Sequence, residues 1–222
     1  MTVHTVTHKR TNMYIIGGND KYVLFDCLWH DSFSVIKHAL KERGIAFEQI
    51  AGLFVSHFHP DHAGTFELLR RHGIPPMVLE HQMLYTEWLN DFFKKPKNDP
   101  NGQYVPIDIK TLMPITPDTV TEVMGYCGIN GKILRTLGHS EDGVSLIAEN
   151  AVFVGDLPRF ETAEVYGNEV AENWRDIFSC NITEIYYAHI RLDVTAEVDA
   201  KIAEEICFDY TNARRAVTED GE

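Results

Sequence analysis

The 222-residue sequence has only four cysteines, no long apolar run, and far fewer basic than acidic residues. The cysteines (Cys27, Cys127, Cys180 and Cys207) have no C-x-x-C spacing, so we expect scattered reduced thiols rather than a disulfide framework. No apolar run reaches the length of a membrane span, and the N-terminal segment MTVHTVTHKR lacks the apolar core of a secretory signal. These absences predict a cytoplasmic protein with no membrane partner.

Positive charge is also scarce. Lys and Arg together number 20 against 33 Asp and Glu, which gives a formal net charge of −13. A surface of this sign repels nucleic acid unless a local basic patch overrides it. The densest basic stretch, at residues 94–97, is interrupted by Pro96 and is typical of a solvated loop. We therefore expect no nucleic-acid partner.

The length fits one domain over residues 1–222, with residues 209–222 as a frayed tail. Helices are predicted near 33–43, 63–72, 81–93, 170–179 and 196–208. Strands are predicted near 3–7, 13–16, 22–25, 50–55, 77–79, 119–123, 131–137, 144–149, 151–155 and 184–188. Strands in both halves with helices between them predict two packed sheets flanked by helices.

One polar segment places four potential metal ligands close together: His57, His59, Asp61 and His62. In an extended chain the side chains at i and i+2 point the same way, so His57 and His59 can bind one ion together. Asp61 and His62 come after Pro60, where the chain turns, and can face a second ion. Imidazole with carboxylate suits zinc, iron or manganese.

Six residues cannot complete two coordination spheres, so more distant ligands are required. From residue 139 onward only two histidines remain, His139 and His189, and each comes just after a predicted strand. Asp156 ends the apolar run at 151–155. All three candidates therefore lie where a strand meets a loop, where sites on layered β folds tend to form.

These motifs resemble those of the metallo-β-lactamase superfamily, most closely its glyoxalase II-like and lactonase-like hydrolases. The likeness rests on His-x-His-x-Asp-His at 57–62, Gly-His-Ser at 138–140, Val-Gly-Asp at 154–156 and the strand-end His189, and it spans about residues 3–205. It implies a four-layer αββα sandwich with two mixed β-sheets flanked by helices. The implied ligands are His57, His59 and His139 for a first divalent ion, Asp61, His62 and His189 for a second, and Asp156 as a bridge between them.

The resemblance implies a hydrolase with two divalent metal ions, most often Zn²⁺, with iron or manganese as alternatives. Two such ions roughly 3.5–4 Å apart share a water and lower its pKa toward about 7, so the nucleophile needs no Ser or Cys. Asp156 and Asp61 are then the catalytic carboxylates, with Asp61 able to pass a proton to the leaving group. Family members often carry an Asp after the third strand that hydrogen-bonds a ligand imidazole, and Asp26 is predicted to do so here.

The expected substrate is a small-molecule ester, thioester or lactone. The chain lacks the signal of a secreted β-lactamase, the positive charge of an RNA nuclease, and the long C-terminal helical domain of a glyoxalase II. Residues beside the metals that could line the substrate pocket are Trp29, Phe58, Arg159 and Phe160, of which Arg159 could pair with a substrate anion.

Several alternatives stay open at this point. One alternative is an iron-dependent redox or oxygen-binding protein of the same fold, similar to the diiron proteins or the persulfide dioxygenases. The diiron proteins typically have Glu at the position of His59. A phosphodiesterase is another. The loop from Pro96 to Tyr104, with the helix before it, is predicted to be mobile and to lie near the pocket mouth. The segment at 94–106 either covers the apolar helix face beside it (Leu84, Trp88, Phe92) as a lid or leaves that face for a homodimer interface.

Overall fold

The structure is a computed structural model that describes residues 1–189 and 195–197. The strands of this part of the chain form two five-stranded sheets. The first sheet has the spatial order of the chain: β1 (Thr2–His8), β2 (Thr11–Gly18), β3 (Lys21–Phe25), β4 (Ile50–Phe54) and β5 (Pro76–Met77). The second runs β10-β9-β8-β7-β6, with β6 (Gly131–Arg135), β7 (Val144–Ala148), β8 (Ala151–Phe153), β9 (Glu184–Tyr186) and β10 (Thr195–Glu197).

Both sheets are mixed, as the sequence predicts. In the first, β1, β2 and β3 are antiparallel, and β4 and β5 continue in parallel to β3. In the second, β8 and β9 are parallel and the other described pairs are antiparallel. Parallel neighbours need a crossover, and helices supply it on the outer face of each sheet.

In the described part of the chain, six α-helices flank the sheets: α1 (Phe33–Glu42), α2 (Pro60–Ala63), α3 (Phe66–Arg71), α4 (Met83–Phe93), α5 (Pro117–Tyr126) and α6 (Asn168–Phe178). Short 3-10 turns occupy Phe47–Gln49, Glu80–Gln82, Ile109–Thr111 and Phe160–Tyr166. The described helices are all too short or too polar to cross a lipid bilayer.

Three hydrophobic cores among the described residues define four layers. One lies between the first sheet and helices α1, α3 and α4, one between the two sheets, and one between the second sheet and α6. Strand β2 serves two of them, because Met13 and Ile15 face the helices while Tyr14 and Ile16 face the other sheet. Burial on both faces explains why this strand is an unbroken apolar run rather than an alternating one. The αββα sandwich is confirmed.

One predicted element is wrong, and two others differ from the structure in part. The predicted strand at 119–123 is helix α5, because the Thr116 side chain caps the Thr119 backbone N–H and Pro117 occupies the first turn. The predicted helix at 63–72 breaks between α2 and α3. The predicted helix at 196–208 begins as strand β10 at its first two residues, and the rest of it, with the tail at 209–222, lies outside the described residues.

The loops that follow the strands meet at one end of the sandwich. Asp26 follows β3, Ser56 and His57 follow β4, Asp156 follows β8, and His189 follows β9. Backbone hydrogen bonds join the two sheets there, from Asn12 N–H to the Ala188 carbonyl and from Val144 N–H to the Ser56 carbonyl, both 2.9 Å long. The fold thus brings the predicted ligands to a single edge.

Candidate metal centre

The first ligand set consists of His57, His59 and His139, whose ligand atoms lie within 4.8 Å of one another. The Nδ1 atom of His59 and the Nε2 atom of His139 are 3.2 Å apart. His57 is buried, whereas the His139 side chain is 37% exposed. The set is therefore anchored in the protein interior and open on one side.

The second ligand set consists of Asp61, His62 and His189, again within 4.8 Å. The Oδ2 atom of Asp61 is 3.2 Å from His189 Nε2 and 3.6 Å from His62 Nε2. His62 is completely buried, and the His189 side chain is 39% exposed. The second set opens to solvent like the first.

Asp156 stands between the two sets with one carboxylate oxygen toward each. Its Oδ2 atom lies 3.4 Å from His139 Nε2 and 4.0 Å from His57 Nε2. Its Oδ1 atom lies 3.2 Å from His189 Nε2 and 3.4 Å from His62 Nε2. This is the arrangement that a carboxylate needs if it is to bridge two cations.

The donor atoms fit metal ions in spacing and in chemistry. Metal–ligand bonds of about 2.0–2.1 Å at tetrahedral angles place neighbouring ligand atoms roughly 3.3 Å apart, close to the separations seen here. Three of these atoms are buried without a hydrogen-bond partner among the described residues: His57 Nε2, His62 Nε2 and Asp156 Oδ1. Buried polar atoms are costly when unpaired, and a cation would satisfy all three.

Asp26 orients His62 from below the site. This fully buried carboxylate lies 2.9 Å from His62 Nδ1 and accepts hydrogen bonds from the Ser56 N–H (2.7 Å) and the Ser56 hydroxyl (3.0 Å). A proton held on Nδ1 leaves Nε2 free for a metal. Asp26 adopts a left-handed backbone with φ 65°, which Asp tolerates better than most residues.

Other contacts position the remaining ligands, and sequence reasoning missed the residues that make them. The N–H at His189 Nδ1 donates a hydrogen bond of 3.0 Å to the Arg10 carbonyl. The Thr11 hydroxyl donates to Asp61 Oδ2 at 3.2 Å. Buried Asp142 accepts from the Phe58 N–H at 2.7 Å and from the Ser140 hydroxyl, so it joins the loops of His59 and His139. Its place three residues after His139 is the only signal in the sequence that could have drawn attention to it.

The surroundings shift the pKa values of the candidate histidine ligands in opposite directions. Burial, reinforced by the neighbouring imidazoles of His62 and His59, lowers the pKa of His57. Burial also acts to lower the pKa of His62, but Asp26 and Asp156 outweigh it and raise that pKa. Close contacts with the Asp156 and Asp61 carboxylates, both at 3.2 Å, raise the pKa of His189 to about 10. Cations that bind to this cluster must displace any proton on the Nε2 atoms of His62 and His189.

The two carboxylates of the site are held ionised. Burial acts to raise the pKa of Asp156, but the imidazoles of His189 and His62, at 3.2 and 3.4 Å, outweigh it and lower that pKa. The same holds for the pKa of Asp61, where burial is opposed by His189 and His62. Both residues therefore bring the negative charge that two divalent cations require.

A glycine makes the position of Asp156 possible. Gly155 has a φ of 57°, and a Cβ atom built on it would lie 2.5 Å from the Ser56 side chain. A larger residue would therefore meet both backbone strain and a clash with the strand end that carries His57.

The predicted substrate residues have different surroundings. Phe58 was expected to line the pocket, but this is wrong: its ring is buried in the core of the first sheet against Phe66, 5.5 Å away between centroids. Because backbone alternation points His57 and His59 toward the other candidate ligands, the side chain between them turns inward.

Arg159 and Phe160 lie on the side of the second sheet. The Arg159 guanidinium pairs with Glu161 at 3.2 Å and lies over the Tyr187 ring, and its binding of a substrate anion stays a prediction. Phe160 packs edge-on against Trp174 and Phe178 in the outer core. Trp29 is half-buried, with its carbonyl bound by the Thr65 hydroxyl, and its role in binding stays a prediction.

Comparison with known proteins gives matches in sequence and in structure. The sequence profile of the Metallo-beta-lactamase superfamily matches residues 6–167. A probable metallo-hydrolase of Methanocaldococcus jannaschii is 25% identical over 155 residues, which cover 66% of this chain and 66% of that protein. The chain thus aligns with slightly less than two thirds of that relative.

Solved structures show the same fold at low sequence identity. A metallo-beta-lactamase family protein from Thermus thermophilus superposes with a TM-score of 0.60 at 16% identity, covering 97% of this chain and 80% of the other. An archaeal metallo-beta-lactamase superfamily protein from Sulfolobus tokodaii gives 0.59 at 17% identity, covering 93% and 85%. At these identities the likeness shows the fold alone.

Proposed function

The chain belongs to the metallo-beta-lactamase superfamily, and on that premise we propose that it is a dinuclear metal-dependent hydrolase of small-molecule carboxylic esters, thioesters or lactones. The single observation that carries the proposal is the position of Asp156, with one oxygen toward each histidine set. If the protein bound a single metal ion, the two carboxylate oxygens of Asp156 would not need to face two separate sets of ligands.

His57, His59 and His139 would hold the first divalent ion, Asp61, His62 and His189 the second, and Asp156 both. Such ions would supply a hydroxide nucleophile at neutral pH and would neutralise developing oxyanion charge. The chain's residues set up this chemistry: Asp26 and the Arg10 carbonyl hold protons on the outer nitrogens of His62 and His189, so that each Nε2 faces inward. Asp61, held by Thr11, is the carboxylate placed to carry a proton toward a leaving group.

The charge balance favours carboxylic esters over phosphodiesters. Two divalent ions with two carboxylates and one hydroxide leave a formal charge of about +1, which suits a single developing oxyanion. The cavity of about 420 Å³ beside His139 is lined by one arginine, Arg135, against Glu141 and Glu169. A phosphodiester anion would benefit from more cationic groups than this.

Metal content and a substrate panel test the proposal. We expect zinc, near two ions per chain, in protein purified without added metal. We expect kcat/KM for the best p-nitrophenyl ester, thioester or lactone to exceed that for bis-p-nitrophenyl phosphate at least roughly tenfold, about 1.4 kcal/mol in transition-state binding. Metal-free protein and Asp61→Asn are the controls and should both lose turnover.

Two results would overturn the assignment. Faster cleavage of the bis-aryl phosphate than of every ester, thioester and lactone would replace the substrate class. Iron with visible absorption and no hydrolysis of any substrate in the panel would replace hydrolysis with redox chemistry. We also propose that the protein is cytoplasmic and forms a homodimer. Sedimentation velocity tests the homodimer.

A further inference from the structure

A large apolar side chain stands exposed beside the first ligand set. Trp88 on α4 has its ring centroid 5.4 Å from the His59 ring and is 45% exposed. Leu84, one helical turn earlier, is 76% exposed. Exposed apolar groups that adjoin a polar site mark binding surfaces more often than isolated ones do.

Aromatic contacts hold Trp88 in place. Its ring stacks on Phe92 at 5.7 Å, Phe92 meets Phe93 edge-on at 5.2 Å, and Phe93 stacks on Tyr104 at 4.1 Å. The Tyr104 hydroxyl donates to Asn90 at 2.8 Å, back on α4. Because the indole is fixed before any ligand arrives, a ligand that packs on it loses little affinity to ordering the side chain.

The segment at 94–106 does not cover this surface, contrary to the lid expectation. Asp99 ties the segment together by accepting from the Gln103 and Tyr104 backbone N–H groups at 2.8 and 2.9 Å. Its aromatic contact is with Phe93, on another face of α4 from Trp88 and Leu84. Within residues 1–189, the indole is therefore left open to whatever occupies the space in front of His59.

The two walls of this space differ in chemistry. On the side of His139 the cavity carries Glu141 and Glu169, and the Tyr85 hydroxyl of α4 donates to Glu141 at 2.9 Å. On the other side Trp88 offers an uncharged ring. A substrate whose reacting carbonyl sits at the metal ligands would turn its apolar part toward the indole and its polar part toward the loop of His139.

We propose that Trp88 is the specificity-determining residue of the site and binds an apolar substituent of the substrate, an alkyl chain or a phenyl ring attached to the reacting ester. The inference rests on the proposed hydrolase function and deepens it, because it assigns the substrate class to hydrophobic esters or lactones. Leu84 extends the same surface away from the metals, so the site accommodates a substituent of several carbon atoms.

The test compares Trp88→Ala and Trp88→Phe with the wild type on p-nitrophenyl acetate, butyrate and hexanoate, and on ethyl, butyl and hexyl acetates. We expect the wild type to prefer the longer member of at least one series. The ratio of kcat/KM for the hexyl or hexanoyl substrate to that for its short counterpart should fall at least about tenfold in Trp88→Ala, and Trp88→Phe should restore most of it. Tyr126→Ala, which removes a 63% exposed aromatic ring at the C-terminal end of α5, is the matched control and should leave the ratio unchanged.

A binding measurement keeps this inference separate from the hydrolase assignment. Hexanoate and 4-phenylbutyrate should change the tryptophan fluorescence of the metal-loaded wild type at concentrations where acetate does not, and Trp88→Phe should abolish the response. That result supports Trp88 even if no ester is hydrolysed. Equal chain-length ratios in the wild type and Trp88→Ala, with no fluorescence response, would overturn the inference. So would a dimer that becomes a monomer in Trp88→Ala at unchanged ratios, because the surface would then be an interface between two copies of the chain.

Discussion

Replacing Asp26 by Asn should selectively weaken the second metal site. The amide has the size of the carboxylate, and Asn tolerates the left-handed backbone at this position, so the fold should survive. In the wild type, one Asp26 oxygen accepts from the Ser56 N–H and the other lies 2.9 Å from His62 Nδ1. In the variant, the single amide oxygen of Asn can accept from the Ser56 N–H, but the NH₂ group then faces His62 Nδ1. The imidazole would shift its proton to Nε2, the atom that must bind the metal.

The magnitude follows from the contact that is lost. His62 is fully buried, so metal binding would require either an unmatched Nδ1–H facing the amide or loss of that proton. A buried hydrogen bond to a charged group contributes roughly 1.5–3 kcal/mol, which corresponds to about a 10- to 150-fold loss of affinity. Removing a residue that hydrogen-bonds a metal ligand typically lowers metal affinity by about 10–100-fold.

Competition with a chromophoric zinc chelator measures both affinities. We expect Asp26→Asn to weaken one of the two zinc ions by about 10–100-fold and the other much less. Asp142→Asn is the matched control: it removes a buried carboxylate that joins the loops of His59 and His139 and touches no imidazole of the second set. Its effect should fall on the first ion. Affinities in Asp26→Asn within threefold of the wild type at both sites, with an unchanged circular dichroism spectrum, would refute the reasoning.

Three further outcomes follow from the structure. Gly155→Ala should lower the free energy of unfolding by roughly 1–3 kcal/mol, because it adds a clash with Ser56 to the strain of a left-handed backbone. Gly44→Ala, with φ 68° and open space around it, should lower it by about 1–2 kcal/mol at most. Urea unfolding compares the two variants, and equal losses of unfolding free energy would show that the clash contributes nothing. Glu67→Gln should destabilise the fold by roughly 1–3 kcal/mol at pH 7, because the buried carboxylate is hydrogen-bonded by Arg70 and Arg71. Burial acts to raise the pKa of Glu67, but these hydrogen bonds outweigh it and lower that pKa, so the advantage of the wild type should be complete above the unfolded-state pKa of about 4.3 and shrink as pH falls through the lower folded-state value; a difference that does not change between pH 7 and pH 3 would contradict this. Removing metal with EDTA should lower Tm by roughly 5–10 °C, since a ligand at about 100 times its Kd stabilises by about 2.7 kcal/mol, and an unchanged Tm would mean that the ligand cluster does not bind metal in the folded state.

The clustering of the candidate ligands could be predicted from the sequence because part of their spacing is dictated by local geometry. The i, i+2 pair of His57 and His59 follows a buried strand, and the turn at Pro60 redirects Asp61 and His62, so local rules place all four. His139, Asp156 and His189 were found because each follows a strand whose end lies at the same edge of the sandwich. The structure places all seven in three overlapping groups, in each of which the ligand atoms lie within 4.8 Å of one another.

Elements decided by a few local contacts were harder to predict. The β-branched run Thr119, Val120, Thr121 and Val123 favours a strand by propensity, but the Thr116 cap and the i, i+4 burial of Val120 and Met124 make it a helix. The segment at 63–72 carries an apolar helical pattern, but α3 covers only Phe66–Arg71; a Cβ atom built on Gly64, before α3, would lie 2.3 Å from the His30 backbone nitrogen.

The surroundings of the metals were the least predictable part of the site. Thr11 lies 50 positions from Asp61 in sequence, and Trp88 is separated from His59 by two helices and a strand. Nothing in the local sequence of either residue differs from that of an ordinary strand or helix face. Contacts of this kind depend on the tertiary packing, which is also why Phe58 was assigned to the pocket and is found in the core.

The most direct test of the bridged two-ion site is the metal stoichiometry of the wild type and Asp156→Asn, measured by mass spectrometric elemental analysis after equal exposure to excess zinc and removal of unbound metal. An amide has one oxygen and an NH₂ group that cannot bind a cation, so it can serve one ligand set but not both. With one Asp156 oxygen facing each set, we predict two ions per chain in the wild type and at most one in the variant. Two tightly bound ions in a folded Asp156→Asn protein, or a wild type that saturates at one, would contradict the bridging role of Asp156.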